Sequence, residues 1–177
     1  MINNDITFVA GVHGVGKGTL CGKLVSIANF VHVSASDLIR RRKELDKSKK
    51  VLNPIGNQEI LVQELMNYSQ NNKLLLDGHF CLIDLKGNMV RLPIELFQSL
   101  NISRILLIKS EPCKIYQQIL IRDSDKSGLS MEDIINLQDA EVEHAHQVSS
   151  ALNIPILEIS LANVTMNDEI EKVLKFI

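Results

Sequence analysis

The sequence predicts an α/β protein, a parallel β-sheet covered by helices on both faces. Apolar runs of strand length at residues 6–10, 30–33, 73–77, 103–108 and 155–159 alternate with segments of helical periodicity. The first run ends in a glycine-rich turn that opens into a helix, and the third ends in an aspartate. Ligands of an open parallel sheet gather at its carboxyl edge, so both features are expected at one site.

Residues 7–20 read TFVAGVHGVGKGTL, and the chain is organised around them. The turn comprises Gly11, Val12, His13, Gly14, Val15, Gly16, Lys17, Gly18 and Thr19. Glycines let the backbone curl until successive N–H groups point at a bound anion. A helix that opens at Lys17 adds its unpaired amides and the positive end of its dipole. Lys17 brings a mobile charge for β- and γ-phosphates, and Thr19 a hydroxyl near the phosphates or a metal.

The first helix is expected to run to about residue 29, with Leu20, Leu24 and Ile27 at helical spacing. A short strand at 30–33 leads into a helix capped by Ser34 or Ser36, with Asp37 in its first turn. Seven of the eleven residues 40–50 are basic. Most of them read as a solvated helix end, and Arg40 as a clamp for an acceptor phosphate. Proline and glycine break the pattern at 52–56, and a helix is expected over 57–68.

The run KLLLDGH at 73–79 reads as a buried strand with Asp77 at its carboxyl end. A carboxylate there can hold Mg²⁺, directly or through water, against phosphates gripped by Lys17. Two readings of His79 stay open: a group that orients water or touches the γ-phosphate region, and a hydrogen-bonded structural histidine. Residues 80–93 alternate as a β-hairpin with its turn at 85–88, from which Arg91 faces the cleft. Pro93 suits the first turn of a short helix to residue 100.

After the strand at 103–108, a helix runs from 111 to 122 and a short loop follows. Ser130 and Asp133 have capping-box spacing and open a long helix to 152, with Ile134, Leu137, Ala145, Val148 and Leu152 inward. Glu141–His144 and Glu143–His146 have the i, i+3 spacing of bridged metal ligands. No second such motif exists in the sequence, which favours helix-surface pairs. The last strand at 155–159 precedes an amphipathic helix over 167–177.

At 177 residues, with 45% hydrophobic and 23% charged residues, the chain is expected to form one domain over 1–177. A net charge of −2 gives no strong sign of a nucleic-acid partner or an anionic membrane. No apolar run approaches the length of a transmembrane helix, and the N-terminus carries no signal-peptide pattern. Cys21, Cys81 and Cys113 show no metal-type spacing and read as reduced packing thiols of a cytoplasmic protein. Oligomeric state has no signature in the sequence.

The spelling GVHGVGKGT resembles the phosphate loop of nucleoside monophosphate kinases, adenylate kinases above all. Ser34, Ser36, Asp37, Leu38 and Arg40 are similar to the acceptor segment of that family, with Ala35 where the family has threonine. Asp77-Gly-His79 resembles the D-x-H of archaeal-type adenylate kinases. The resemblance implies a three-layer P-loop kinase fold whose five-stranded parallel sheet has the order 2-3-1-4-5. It implies ATP and Mg²⁺ as cofactors, with Thr19 and Asp77 toward the metal and Lys17, Asp77 and Arg122 catalytic. Ser34, Ser36, Asp37, Arg40, His79 and Arg91 would meet a small phosphate acceptor. The acceptor region would cover residues 30–70, and residues 122–129 would be a short lid. That family normally has two arginines before the lid and more within it, whereas here Arg122 stands alone and Lys126 is the lid's cation. Two function classes follow: a kinase acting on a nucleotide or another small acceptor, and a nucleotide-dependent switch or slow ATPase acting on a protein or ribonucleoprotein. An acceptor segment favours the first, and an arginine-poor lid the second.

Overall fold

In a computed structural model of the chain, the structure describes residues 5–45, 54–66, 73–84, 87–123, 129–161 and 166–177. In chain order the elements are β1 Asp5–Ala10, α1 Lys17–Ile27, β2 Val31–Ser34, α2 Ala35–Leu45, α3 Pro54–Met66, β3 Lys73–Asp77 and β4 Cys81–Ile83. There follow β5 Met89–Arg91, α4 Ile94–Ser99, β6 Ile102–Lys109, α5 Pro112–Asp123, α6 Met131–Leu152, β7 Ile156–Ser160 and α7 Met166–Phe176.

The main sheet has five strands in the order β2-β3-β1-β6-β7, and every pairing in it is parallel. These labels differ from the expected 2-3-1-4-5 because β4 and β5 form a separate antiparallel hairpin and take two numbers. The chain turns one way from β1 to β2 and the other way from β6 to β7. Right-handed crossovers therefore place their connecting helices on opposite faces. Accordingly α1 packs with α7, while α4 and α5 pack with α6.

Both faces of the central strands are covered, so their sequences are continuous apolar runs rather than alternating ones. Leu74, Leu75 and Leu76 of β3, and Ile105, Leu106 and Leu107 of β6, are fully buried. Phe8, Phe80 and Phe97 meet with centroids 4.7–5.2 Å apart in edge-on and tilted contacts, the geometry that aromatic quadrupoles favour. This cluster ties β1, the start of the hairpin and α4 into one core.

One detail differs from the sequence reading. The helix α3 starts at Pro54 instead of following a break that ends at Gly56. Proline is tolerated in a first helical turn, where its missing N–H has no intrahelical partner. The capping box at Ser130 and Asp133 is present, and Asn153 ends α6 in the left-handed conformation with φ 52°.

Register is what assembles the site. Asp77 is the Cα partner of Val9 on one side and of Ser34 on the other. The Gly78 N–H donates to the Val9 carbonyl at 3.1 Å and extends the pairing past Asp77. The end of β1, the end of β2 and Asp77 thus reach the same height at the carboxyl edge.

Candidate functional site

The loop after β1 needs its glycines for specific reasons. Gly11 has φ 144°, and a Cβ there would lie 2.5 Å from the Ile108 carbonyl oxygen, so no larger residue fits. Gly16 holds the N-cap of α1 at φ 108° and brings no side-chain cap, which leaves the first-turn amides for a ligand. Val12 and Val15 turn inward and anchor the loop in the core.

Lys17 begins α1 and is buried, with 7% of its surface exposed. Its Nζ donates to the carbonyls of Gly11 at 2.6 Å and Val12 at 3.1 Å, and stands 4.0 Å from Asp77 Oδ1. The other Asp77 oxygen lies 3.6 Å from His32 Nε2, a buried atom with no hydrogen-bond partner among the described residues. His32 belongs to β2, beside β3, and the sequence reading missed it. In VHVS it looks like any strand residue, and only the register reveals its place.

A cavity of about 880 Å³ joins the loop to the Asp77-Gly-His79 turn. Its polar lining includes His13, Lys17, Ser34, Ser36, Asp37, Arg40, Asp77 and His79, with Gly14 and Gly18 of the loop. Phe8, Leu96 and Phe97 contribute to its apolar wall. Ser34 is the residue that caps α2, since its Oγ accepts from the Asp37 amide at 3.4 Å and lies 3.0 Å from Ser36 Oγ. Arg40 donates to Asp37 Oδ1 at 3.0 Å, both side chains largely exposed, so this ion pair is easily exchanged for a ligand.

Other expected residues lie elsewhere. Arg91 pairs with Glu143 of α6 and does not line the cavity, contrary to its expected place facing the cleft. Leu82 and Leu92 do line it. Side chains alternate across a strand, and Arg91 pairs with Cys81, so both face away from Leu82 and Leu92. Thr19 is exposed in the first turn of α1, outside the cavity lining. Arg122 lies in the last turn of α5, but its side chain, like residues 124–128 of the expected lid with Lys126, lies outside the described residues.

The acidic and histidine cluster of α6 also departs from the surface-pair reading. Glu141 and His144 are buried, because α6 packs against β6 and the hairpin along that face. His144 Nε2 is 2.6 Å from the Leu92 carbonyl oxygen, and His146 pairs with Glu158 on β7. Glu141 accepts the N–H of Gly11 at 3.2 Å, of Phe80 at 2.9 Å and of Cys81 at 2.7 Å. Burial pushes its carboxyl above the ordinary range, against the pull of the Phe80 and Cys81 amides, Lys17 and the Gly11 amide. One signal did point inward: position 141 fills the missing step in the stripe Ile134, Leu137, Ala145, Val148.

Burial also raises the Cys21 and Cys81 thiols to about 12, in keeping with packing residues, while Cys113 is exposed and is not one. The Asp77 carboxylate at the sheet edge suits a hard cation that keeps phosphates and waters as its other ligands, the habit of Mg²⁺. Among the described residues no helix is long and apolar enough to cross a membrane.

Residues 10–138 match a family model described as an AAA domain. A UMP-CMP kinase from Prunus armeniaca is 40% identical over 83 residues, covering 41% of this chain and 36% of that protein. The uridylate kinase of Saccharomyces cerevisiae is 31% identical over 142 residues, covering 76% of this chain and 69% of that protein. The chain thus spans about a third of the length of the plant UMP-CMP kinases it matches and over two thirds of the yeast enzyme. A shikimate kinase from Acinetobacter baumannii, solved with shikimate, superposes with a TM-score of 0.63 over 99% of this chain and 93% of its own, at 14% identity. A gluconokinase from Sinorhizobium meliloti gives 0.53 over 98% and 91%, at 9% identity. At such identities the likeness of the structures concerns the fold alone.

Proposed function

The chain belongs to the P-loop nucleoside monophosphate kinase superfamily, and we propose that it transfers the γ-phosphoryl group of ATP to a nucleoside monophosphate. The observation that carries this reading is one continuous cavity. It holds Lys17 of the phosphate loop, Asp77 at the sheet edge, and Ser34, Ser36, Asp37 and Arg40 of the next unit. A device that only binds and hydrolyses ATP has no need of the last four. The yeast uridylate kinase and the plant UMP-CMP kinases direct attention to pyrimidine acceptors.

Each residue has a part. The loop from Gly11 through Val15 to Thr19 wraps the phosphates with backbone amides and fixes their position. Lys17 exchanges the Gly11 and Val12 carbonyls for phosphate oxygens, where negative charge is redistributed during transfer. Arg40 exchanges Asp37 for the acceptor phosphate, and Ser34 and Ser36 offer hydroxyls beside it. Asp77, directly or through water, would hold Mg²⁺, which neutralises phosphate charge when bound. His79 lines the same cavity and would orient water or touch the γ-phosphate region. Arg122, at the end of α5, would add charge to the moving phosphoryl.

The test is a screen of ATP-dependent phosphorylation across UMP, CMP, AMP, nucleosides and small hydroxy acids, with ATP alone as control. Saturable transfer to a nucleoside monophosphate supports the reading. The alternative, a slow ATPase switch acting on a protein or ribonucleoprotein, draws on the single arginine in residues 111–128. It requires the same rate of ADP release with and without acceptors.

A further inference from the structure

Glu141 is a buried acid that the proposed chemistry does not consume. It reaches from α6 to two segments distant in sequence, and among the described residues its hydrogen bonds all come from backbone N–H groups. Gly11 begins the phosphate loop, and Phe80 and Cys81 follow the Asp77-Gly-His79 turn. The Phe80 amide is shared between both oxygens, at 2.9 and 3.0 Å, which fixes the carboxylate plane between the other two donors. Gly11 in turn offers its carbonyl to Lys17 Nζ, which stands 4.0 Å from Asp77. The contacts therefore form a circuit through Glu141, Gly11, Lys17, Asp77 and Phe80, closed by the short chain from 77 to 80.

We infer that Glu141 is a positioning residue for phosphoryl transfer, whose carboxylate clamps the first glycine of the phosphate loop to the segment behind Asp77. This role rests on the kinase reading above. A carboxylate is acceptor-only and can meet all three N–H groups at once. An amide of the same shape has a single acceptor oxygen. In Glu141→Gln that oxygen serves Phe80 and one further donor, and the NH₂ is turned against the amide of Gly11 or Cys81. A loop released at Gly11 loses the frame that presents its amides and Lys17 to the phosphates. The acceptor contacts of Ser34 and Arg40 lie on other elements and stay intact.

The experiment compares wild type, Glu141→Gln and Val148→Ala, the last a buried α6 position with no part in the clamp. ATP binding is read by calorimetry, acceptor and nucleotide kinetics by steady state, and amide hydrogen exchange in the ligand-free chain. Glu141→Gln should weaken ATP binding and lower kcat by roughly ten- to a hundredfold, the scale of one buried donor left unpaired. The acceptor KM should stay within about twofold, and exchange at Gly11 or Cys81 should quicken. Val148→Ala should lower Tm while leaving ATP affinity unchanged. Wild-type ATP affinity and kcat in Glu141→Gln overturn the inference, as does an equal loss in Val148→Ala, which would make stability the cause. Absence of ATP binding by wild type overturns the kinase reading and this role with it; accelerated exchange in Glu141→Gln would still identify the clamp.

Discussion

The Lys17 ammonium stands 4.0 Å from the Asp77 carboxylate, brought there from α1 and β3 respectively. Two loop carbonyls hold the lysine in place, and strand pairing on both sides holds the aspartate. Under the proposed transfer the lysine leaves those two carbonyls for phosphate oxygens, while the aspartate keeps the place its strand gives it.

Asp77→Asn keeps the shape of the site and removes the charge. Activity should fall by at least about tenfold, and the Mg²⁺ concentration for half-maximal rate should rise. A Mg²⁺ titration of steady-state rate, with circular dichroism as a fold control, checks this. An unchanged titration would leave Asp77 as a turn residue.

Arg40→Ala should act on the acceptor alone. A charge-assisted contact to phosphate contributes about 1.5–3 kcal/mol, or roughly ten- to a hundredfold in acceptor KM. ATP affinity should barely move, because Arg40 lies on α2, apart from the phosphate loop. Initial rates over a grid of ATP and acceptor concentrations separate the two. Equal effects on both substrates would contradict the assignment.

Acid should expose a contribution from residues outside the cavity lining. The hydrogen bond from Lys109 holds the Glu158 carboxyl below its ordinary value of 4.5, against partial desolvation, and His146 assists. A depressed folded-state value means that the stabilisation is fully present above 4.5 and is lost as pH falls below it. Glu158→Gln should cost about 1–3 °C in Tm at neutral pH, since the group is partly exposed. That gap should close as pH falls through the folded-state value, measured by thermal melts across the acid range.

What the sequence discloses follows from how local each demand is. The phosphate loop was legible because its glycines and Lys17 answer a local geometric need, and Asp77 because a leucine strand must end somewhere. Arg91 was misplaced because alternation sorts residues into two faces without saying which one meets the cleft; the Cys81 pairing and Leu92 decide that. His32 carries no local signature, and its proximity to Asp77 is created by the pairing of β2 with β3. Glu141 sat in an apolar stripe where a charge should not lie. Reading it required knowing that three backbone amides meet there.

The most direct test of phosphoryl transfer follows the γ-phosphoryl itself. Wild type and Lys17→Ala are incubated with γ-labelled ATP and UMP, CMP or AMP, and the label is located. The account predicts label on a nucleoside monophosphate, with the rate falling by roughly a hundredfold or more in Lys17→Ala, while the melting temperature changes far less. That loss corresponds to about 3 kcal/mol of charge stabilisation in the transition state. Label found solely in inorganic phosphate, released at a rate indifferent to added nucleotides, would contradict it.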